Sequence, residues 1–277
     1  MALSHNARST GISAHSKCIR DSGLECRRGI DMRSLLTTVA LMFCAMTAQA
    51  DEVRLVASNA VKELVHELIP AFEKASGHHV QVTWGGTPDI TRLAEEGGAF
   101  DIVVISKTVV VDLEARGKLL PGGSREFVAS AIGGAVAPGS PRFDVSTRAA
   151  LKQSLLDAKS VVLSSGPSSL HLLALIDQMG IRDAVAPKLL RLAPGLSVGE
   201  ALAEGRGQLG FTQISELLAV QGIERLGPLG PEVQRLTVFT FGMRPGSEPS
   251  PAVKALVAFL TSPTVAPQAR HAGLEPR

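Results

Sequence analysis

The sequence predicts an α/β protein of two lobes, with mixed, mostly parallel sheets and two strands that cross between the lobes. Short apolar, β-branched runs alternate with helix-periodic segments almost to the C-terminus, as they do where helices cover a parallel sheet. Two strand-like runs, 128–140 and 233–244, are much longer than the others and suit passages from one lobe to the other. No repeat or low-complexity tract breaks this order.

The elements follow in turn. "EVRLVAS" (52–58) reads as a strand, and Val61, Leu64, Val65, Leu68 and Phe72 then recur at helical spacing, with a bend expected at Pro70 and an end at Gly77. "HVQVTW" (79–84) is a strand, "PDITRLAEEG" (88–97) a helix, "DIVVI" (101–105) a strand and "VVVDLEARGKL" (109–119) a helix. After the first long run come a helix at 146–157, a strand at 160–164, and helices at 168–179 and 182–187. "SVGEALAEG" (197–205) reads as helix, "QLGFTQ" (208–213) as strand and "SELLAVQG" (215–222) as helix. Beyond the second long run, helices are expected at about 250–261 and 264–271. Residues 51–130 with 239–277 would form the first lobe, and 131–238 the second.

Residues 32–50, "MRSLLTTVALMFCAMTAQA", have the basic start, short apolar stretch and small-x-small end of a secretory signal peptide. Their apolar stretch is shorter than the ~20 residues of a spanning helix. Residues 1–31 are unpatterned and read as an extension upstream of the true start. Six of the 28 basic residues but only three of the 26 acidic ones lie in 1–50, so the remaining chain changes from a net +2 to about −1. Basicity therefore gives no support to nucleic-acid binding. All three cysteines, Cys18, Cys26 and Cys44, also fall in 1–50, which leaves no disulfide or thiolate chemistry. With no tyrosine and one tryptophan, Trp84, the chain is poorly equipped to stack on sugars.

"SSGPSSLH" (164–171) raises the possibility of a nucleophile and its base. The nucleophile elbow requires G-x-S-x-G, and Gly166-Pro167-Ser168-Ser169-Leu170 lacks the second glycine that its crowded turn needs. His171 lies on the same helix as Ser168, whereas a hydrolase base comes from a separate element. His78 and His79 are adjacent in a turn, and neither a metal-binding histidine spacing nor a phosphate-loop or dinucleotide glycine motif occurs.

What recurs is a turn of hydroxyl, amide or small residues where an apolar strand gives way to a helix. Ser58-Asn59, Gly85-Gly86-Thr87, Ser164 to Ser169 and Thr212-Gln213 all fit, and a fifth helix starts at Ser197-Val198. Carboxyl ends of strands in an open α/β sheet are where ligands sit, and helix starts there offer N–H groups that suit an anion. N-capping alone accounts for any one such turn; several of them in two lobes imply a binding cleft.

The fragments "ASNAVKELVHELIPAFEKASG", "GGTPDITRLAEEGGAFDIVVI", "SSGPSSLHLLALIDQMGI" and "SVGEALAEGRGQLGFTQISEL", in this order, resemble the type II periplasmic binding proteins of ABC transporters, most of all their molybdate-binding branch, over Val53 to Gly273. The resemblance implies a type II periplasmic fold that holds an anion with hydroxyl and backbone N–H groups of both lobes. It places Ser58 and Thr87 as hydroxyl donors, Ser168 and Val198 as N–H donors, and Gln213 where the branch has a tyrosine. Asn59, Gly86 and Ser169 complete the expected ligand-binding set. Gln213, Ser169, His171 and the loop around Thr87 depart from the molybdate pattern. The expected ligand is thus a molybdate- or tungstate-like oxyanion, with a small organic carboxylate as the alternative, suggested by Gln213 and His171. The resemblance further implies a monomer in the periplasm, with no cofactor, metal or catalysis, that serves an ABC permease of the inner membrane or, alternatively, an anion-sensing receptor. Arg92 reads as a solvated helix residue and His171 as a partly exposed one, with reaching into the cleft to the ligand as the alternative for each.

Overall fold

The computed structural model describes residues 51–246 and 248–277, so the expected signal peptide and upstream extension lie outside the described residues. In chain order the structure runs β1 (Glu52–Ser58), α1 (Lys62–Ser76), β2 (His79–Gly85), α2 (Thr87–Glu95), β3 (Ile102–Ser106), α3 (Lys107–Ala115), β4 (Arg125–Ser130) and β5 (Ile132–Val136). It continues with α4 (Arg148–Asp157), β6 (Val161–Leu163), α5 (Pro167–Gln178), α6 (Arg182–Val185), β7 (Leu189–Arg191), α7 (Val198–Ala203), β8 (Leu209–Gln213) and α8 (Ile214–Leu218). β9 (Glu224–Pro228), β10 (Thr237–Met243), α9 (Pro251–Leu260), α10 (Ala266–His271) and β11 (Leu274–Pro276) complete it.

Two sheets form, one in the order β11-β4-β10-β3-β1-β2 and the other β7-β6-β8-β5-β9. Both are mixed. Parallel pairing is confined to β1 with β2 and β3, and to β6 with β7 and β8. The strands nearest the crossings pair antiparallel, so the sheets are less parallel than the alternation of elements implied. The reason lies in the returning strands β10 and β8: each runs back beside a strand that enters or leaves its sheet.

Period-two alternation gives each sheet two buried faces. Val53, Leu55 and Ala57 of β1 pack with Leu64, Leu68 and Phe72 of α1, while Val56 faces Ile90, Val110 and Leu113 of α2 and α3. In the second sheet Val161 and Leu163 pack with Leu155 and Leu172, and Val162 packs with Val198 and Leu202. Each fully buried side chain of this kind contributes about 1.5–3 kcal/mol. The helix α1 runs on through Pro70 and ends at Gly77, whose φ of 73° is left-handed and whose N–H reaches the Glu73 carbonyl.

The first long run is two strands, one in each sheet, separated by Ala131 alone. The second expected crossing strand, 233–244, is not a crossing strand: β10 lies wholly in the six-stranded sheet, and the chain returns through the irregular 229–236. Gln234 joins the two passages, accepting the Ile132 N–H (2.9 Å) and donating to the Ile132 (3.0 Å) and Leu229 (3.2 Å) carbonyls. Three strands went unanticipated. β7 and β9 are largely exposed edge strands, and β11 is three residues long.

Candidate functional site

Strand register assembles the site. Ser58 is the partner of Gly85, so the turn after β1 lies beside the turn after β2. Leu163 is the partner of Phe211, which sets Ser164 to Ser168 beside Thr212 and Gln213. These turns face each other across the two sheets around a cavity of about 30 Å³. Ser58, Asn59, Gly86, Thr87, Ser168 and Gln213 all line it. No lysine or arginine does, among the described residues.

The two lobes touch here. Asn59 Nδ2 donates to the Gly195 carbonyl (3.2 Å), and Ser215 Oγ donates to the Ala60 carbonyl (2.7 Å). A Cβ on Gly86 would stand 2.9 Å from the Gly195 nitrogen, a backbone clash, so glycine is what allows this approach. Ser58 is buried and its Oγ accepts the Ala60 N–H (3.4 Å), a capping role that leaves its hydroxyl proton for the cavity. Ser164 Oγ lies 3.4 Å from Ser168 Oγ and 3.1 Å from Ser169 Oγ, and accepts the Gly166 N–H (3.2 Å). This hydroxyl cluster stiffens the turn just where α5, opened by Pro167, begins.

Two residues of the expected set stand away from the cavity lining. Ser169 is buried with its hydroxyl at Ser164. Val198 is buried in the second lobe, where its side chain occupies the space a Cβ on Gly210 would need (2.6 Å), while the adjacent Ser197 caps α7 through the Glu200 N–H. His171 points elsewhere too: its Nε2 donates to the Val233 carbonyl at 2.8 Å, which ties α5 to the return passage. Arg92 is exposed and pairs with Asp89 at 3.5 Å on its own helix. Trp84 is half-buried against the first-lobe core.

The residue that sequence reasoning missed is Glu216. It lines the cavity from α8 and accepts a hydrogen bond from the Thr212 hydroxyl. Burial pushes its carboxyl above the ordinary carboxylate range, against the opposing pull of the Thr212 hydroxyl and the Gln213 N–H. Gln213 is buried beside it, its Nε2 donating to Thr237 Oγ1 (2.9 Å) and its Oε1 buried without a partner. In "ISELL" Glu216 looks like any acidic residue in the first turn of a helix. Only the packing of α8 between the lobes reveals it.

Beside the small cavity lies a polar one of about 420 Å³. The two share Asn59, Ala60, Gly195 and Glu216, and Trp84, Ser197 and Lys62 line the larger. Among the described residues no cluster of three or more metal-ligating side chains occurs. The arrangement therefore offers neutral donors and helix starts to a small anion, with room next to it for a polar body.

Comparison with known proteins agrees with this fold. Residues 53–275 match the family model of bacterial extracellular solute-binding proteins. Aconitate isomerase from a Pseudomonas species is 32% identical over 225 residues, covering 79% of this chain and 86% of that protein. The periplasmic molybdate-binding protein of Azotobacter vinelandii superposes with a TM-score of 0.66 at 15% identity, over 80% of this chain and 98% of that one. PEB3 of Campylobacter jejuni, in a structure with L-phospholactate bound, gives 0.63 at 11% identity, over 81% and 100%. At those identities the solved structures establish the two-lobed fold, and the family match establishes the lineage: this chain belongs to the bacterial extracellular solute-binding proteins.

Proposed function

We propose that the chain is the periplasmic binding component of an ABC transporter, that it captures a small organic carboxylate between its lobes, and that it delivers it as a monomer to an inner-membrane permease. One observation carries the choice of ligand: a cavity of about 30 Å³ that suits a single anionic group adjoins a polar one of about 420 Å³ that suits the rest of an organic acid. Ser58, Asn59, Gly86, Thr87, Ser168 and Gln213 supply the donors and walls around the anion, while Ser169 and Val198 support them from behind. Closure is favoured when the ligand supplies contacts to both lobes at once. Identity to a protein named for aconitate supports the same class. The small volume and the lack of a lining cation favour a second reading, a molybdate- or tungstate-like oxyanion.

Thermal unfolding of the chain from Asp51 onward, with trans-aconitate, citrate, molybdate, tungstate and sulfate, separates the two. A ligand at 100 times its Kd adds about 2.7 kcal/mol of stability. Stabilisation by a carboxylate alone supports the first reading, and stabilisation by molybdate or tungstate alone replaces it with the second. Conversion of trans-aconitate to its cis isomer, followed by proton NMR, would replace binding with catalysis.

A further inference from the structure

Glu216 is the one carboxyl lining the small cavity among the described residues, and it lines the larger cavity as well. It thus stands where an incoming anion passes from one to the other. One oxygen accepts from the Thr212 hydroxyl, and no ion pair neutralises the group among the described residues. The segments packed against α8 supply little charge. Asn59–Val61, β5 and β8 contain no titratable side chain. From β9, Glu224 pairs with Arg142 (2.8 Å) and Arg225 reaches the Val220 carbonyl (3.4 Å). Across the larger cavity stand Lys62, Glu63 and, from α7, Glu200. An ionised carboxylate facing a bound anion in such a cleft would repel it, whereas a protonated one is a donor.

We propose that Glu216 keeps its proton in the filled site and donates a hydrogen bond through it to the bound anion, so that capture of ligand depends on pH. The proposal rests on the anion-binding reading above and adds to it a selectivity device. The serines and helix starts accept any compact anion, while Glu216 favours one with an oxygen able to take a proton's hydrogen bond at the mouth of the cup. The buried, unpartnered Oε1 of Gln213, three residues earlier, provides an acceptor beside that donor. A ligand group with both an acceptor oxygen and a hydroxyl would satisfy the pair.

Isothermal titration with trans-aconitate and, in parallel, molybdate between pH 6 and pH 9 tests this on the wild type, Glu216→Gln and Glu216→Ala. In the wild type, affinity should fall with rising pH, approaching roughly tenfold per unit once the carboxyl titrates. Glu216→Gln, which donates without titrating, should bind at pH 9 more tightly than the wild type and lack the fall attributed to Glu216, so that the ratio of variant to wild-type affinity rises with pH; the ligand's own titration is common to both proteins. A wild-type affinity that stays flat, or the same fall in Glu216→Gln, overturns the proposal. Binding of molybdate but not trans-aconitate removes the carboxylate reading alone, and the pH series is then read on molybdate. Binding of neither anion by the wild type removes both.

Discussion

Asp101 and Glu216 are both carboxyls held by the fold, and the fold treats them in opposite ways. Asp101, at the amino end of β3, receives Arg54 Nη2 on one oxygen (2.8 Å) and Arg54 Nε (3.1 Å) and backbone N–H (2.8 Å) on the other. These hydrogen bonds, with the Arg54 charge and that of Arg244, hold it below the ordinary carboxylate range. Glu216, at the carboxyl ends of the strands, has a threonine hydroxyl, a backbone N–H and no cation, and burial pushes it up. The pairing at Asp101 serves the fold by pinning β1 to β3. The absence of pairing at Glu216 does nothing for the fold. An uncompensated carboxyl in a cleft is a mark of function rather than of stability.

The contrast can be broken most strongly at the paired end. Asp101→Ala removes three hydrogen bonds to a charged group and should cost about 2 kcal/mol in urea unfolding at neutral pH. Because the folded-state pKa is depressed, that contribution is present above the ordinary aspartate range and is lost as pH falls through the folded value. The gap between variant and wild type should therefore narrow in acid. Gly86→Val acts at the other end by holding the lobes apart. Affinity for the stabilising anion should fall at least ~10-fold, about 1.4 kcal/mol, while the urea midpoint hardly moves. Opening the cleft also returns Glu216 to water, so the pH dependence of binding should weaken with it. The smallest effect is that of Glu216→Gln on folding itself. The raised folded-state pKa makes wild-type stability full below the ordinary glutamate range and lost as pH rises through the folded value. The variant should therefore match the wild type below the ordinary glutamate range and exceed it progressively as pH rises from there to the folded value, read from denaturation midpoints at a series of pH values.

Much of this architecture is legible in the chain because the signals are local. Ser58, Thr87 and Ser168 sit at strand-to-helix turns, and a turn's position follows from the apolar runs on either side. The return passage was misplaced for a related reason. β10 is an interior strand of mostly buried residues, so its apolar run looks long enough to cross, whereas the true passage at 229–236 has no periodicity. β9, "ERLGP", carries charge, glycine and proline, and owes its strand to pairing with β5 rather than to propensity. Glu216 and His171 could not be resolved from sequence, since the direction of a side chain between two lobes depends on long-range packing. One turned out to face the cup and the other to fasten a helix to the return passage.

Trp84 has a consequence in spectroscopy. The chain has one tryptophan and no tyrosine, and that tryptophan lines the larger cavity between the lobes. Practically all of the intrinsic ultraviolet emission therefore originates beside the cleft, without a background from the cores. Opening, closing and filling of the site should each register as a change in colour or intensity of a single fluorophore, which makes the protein its own optical titration probe without any label.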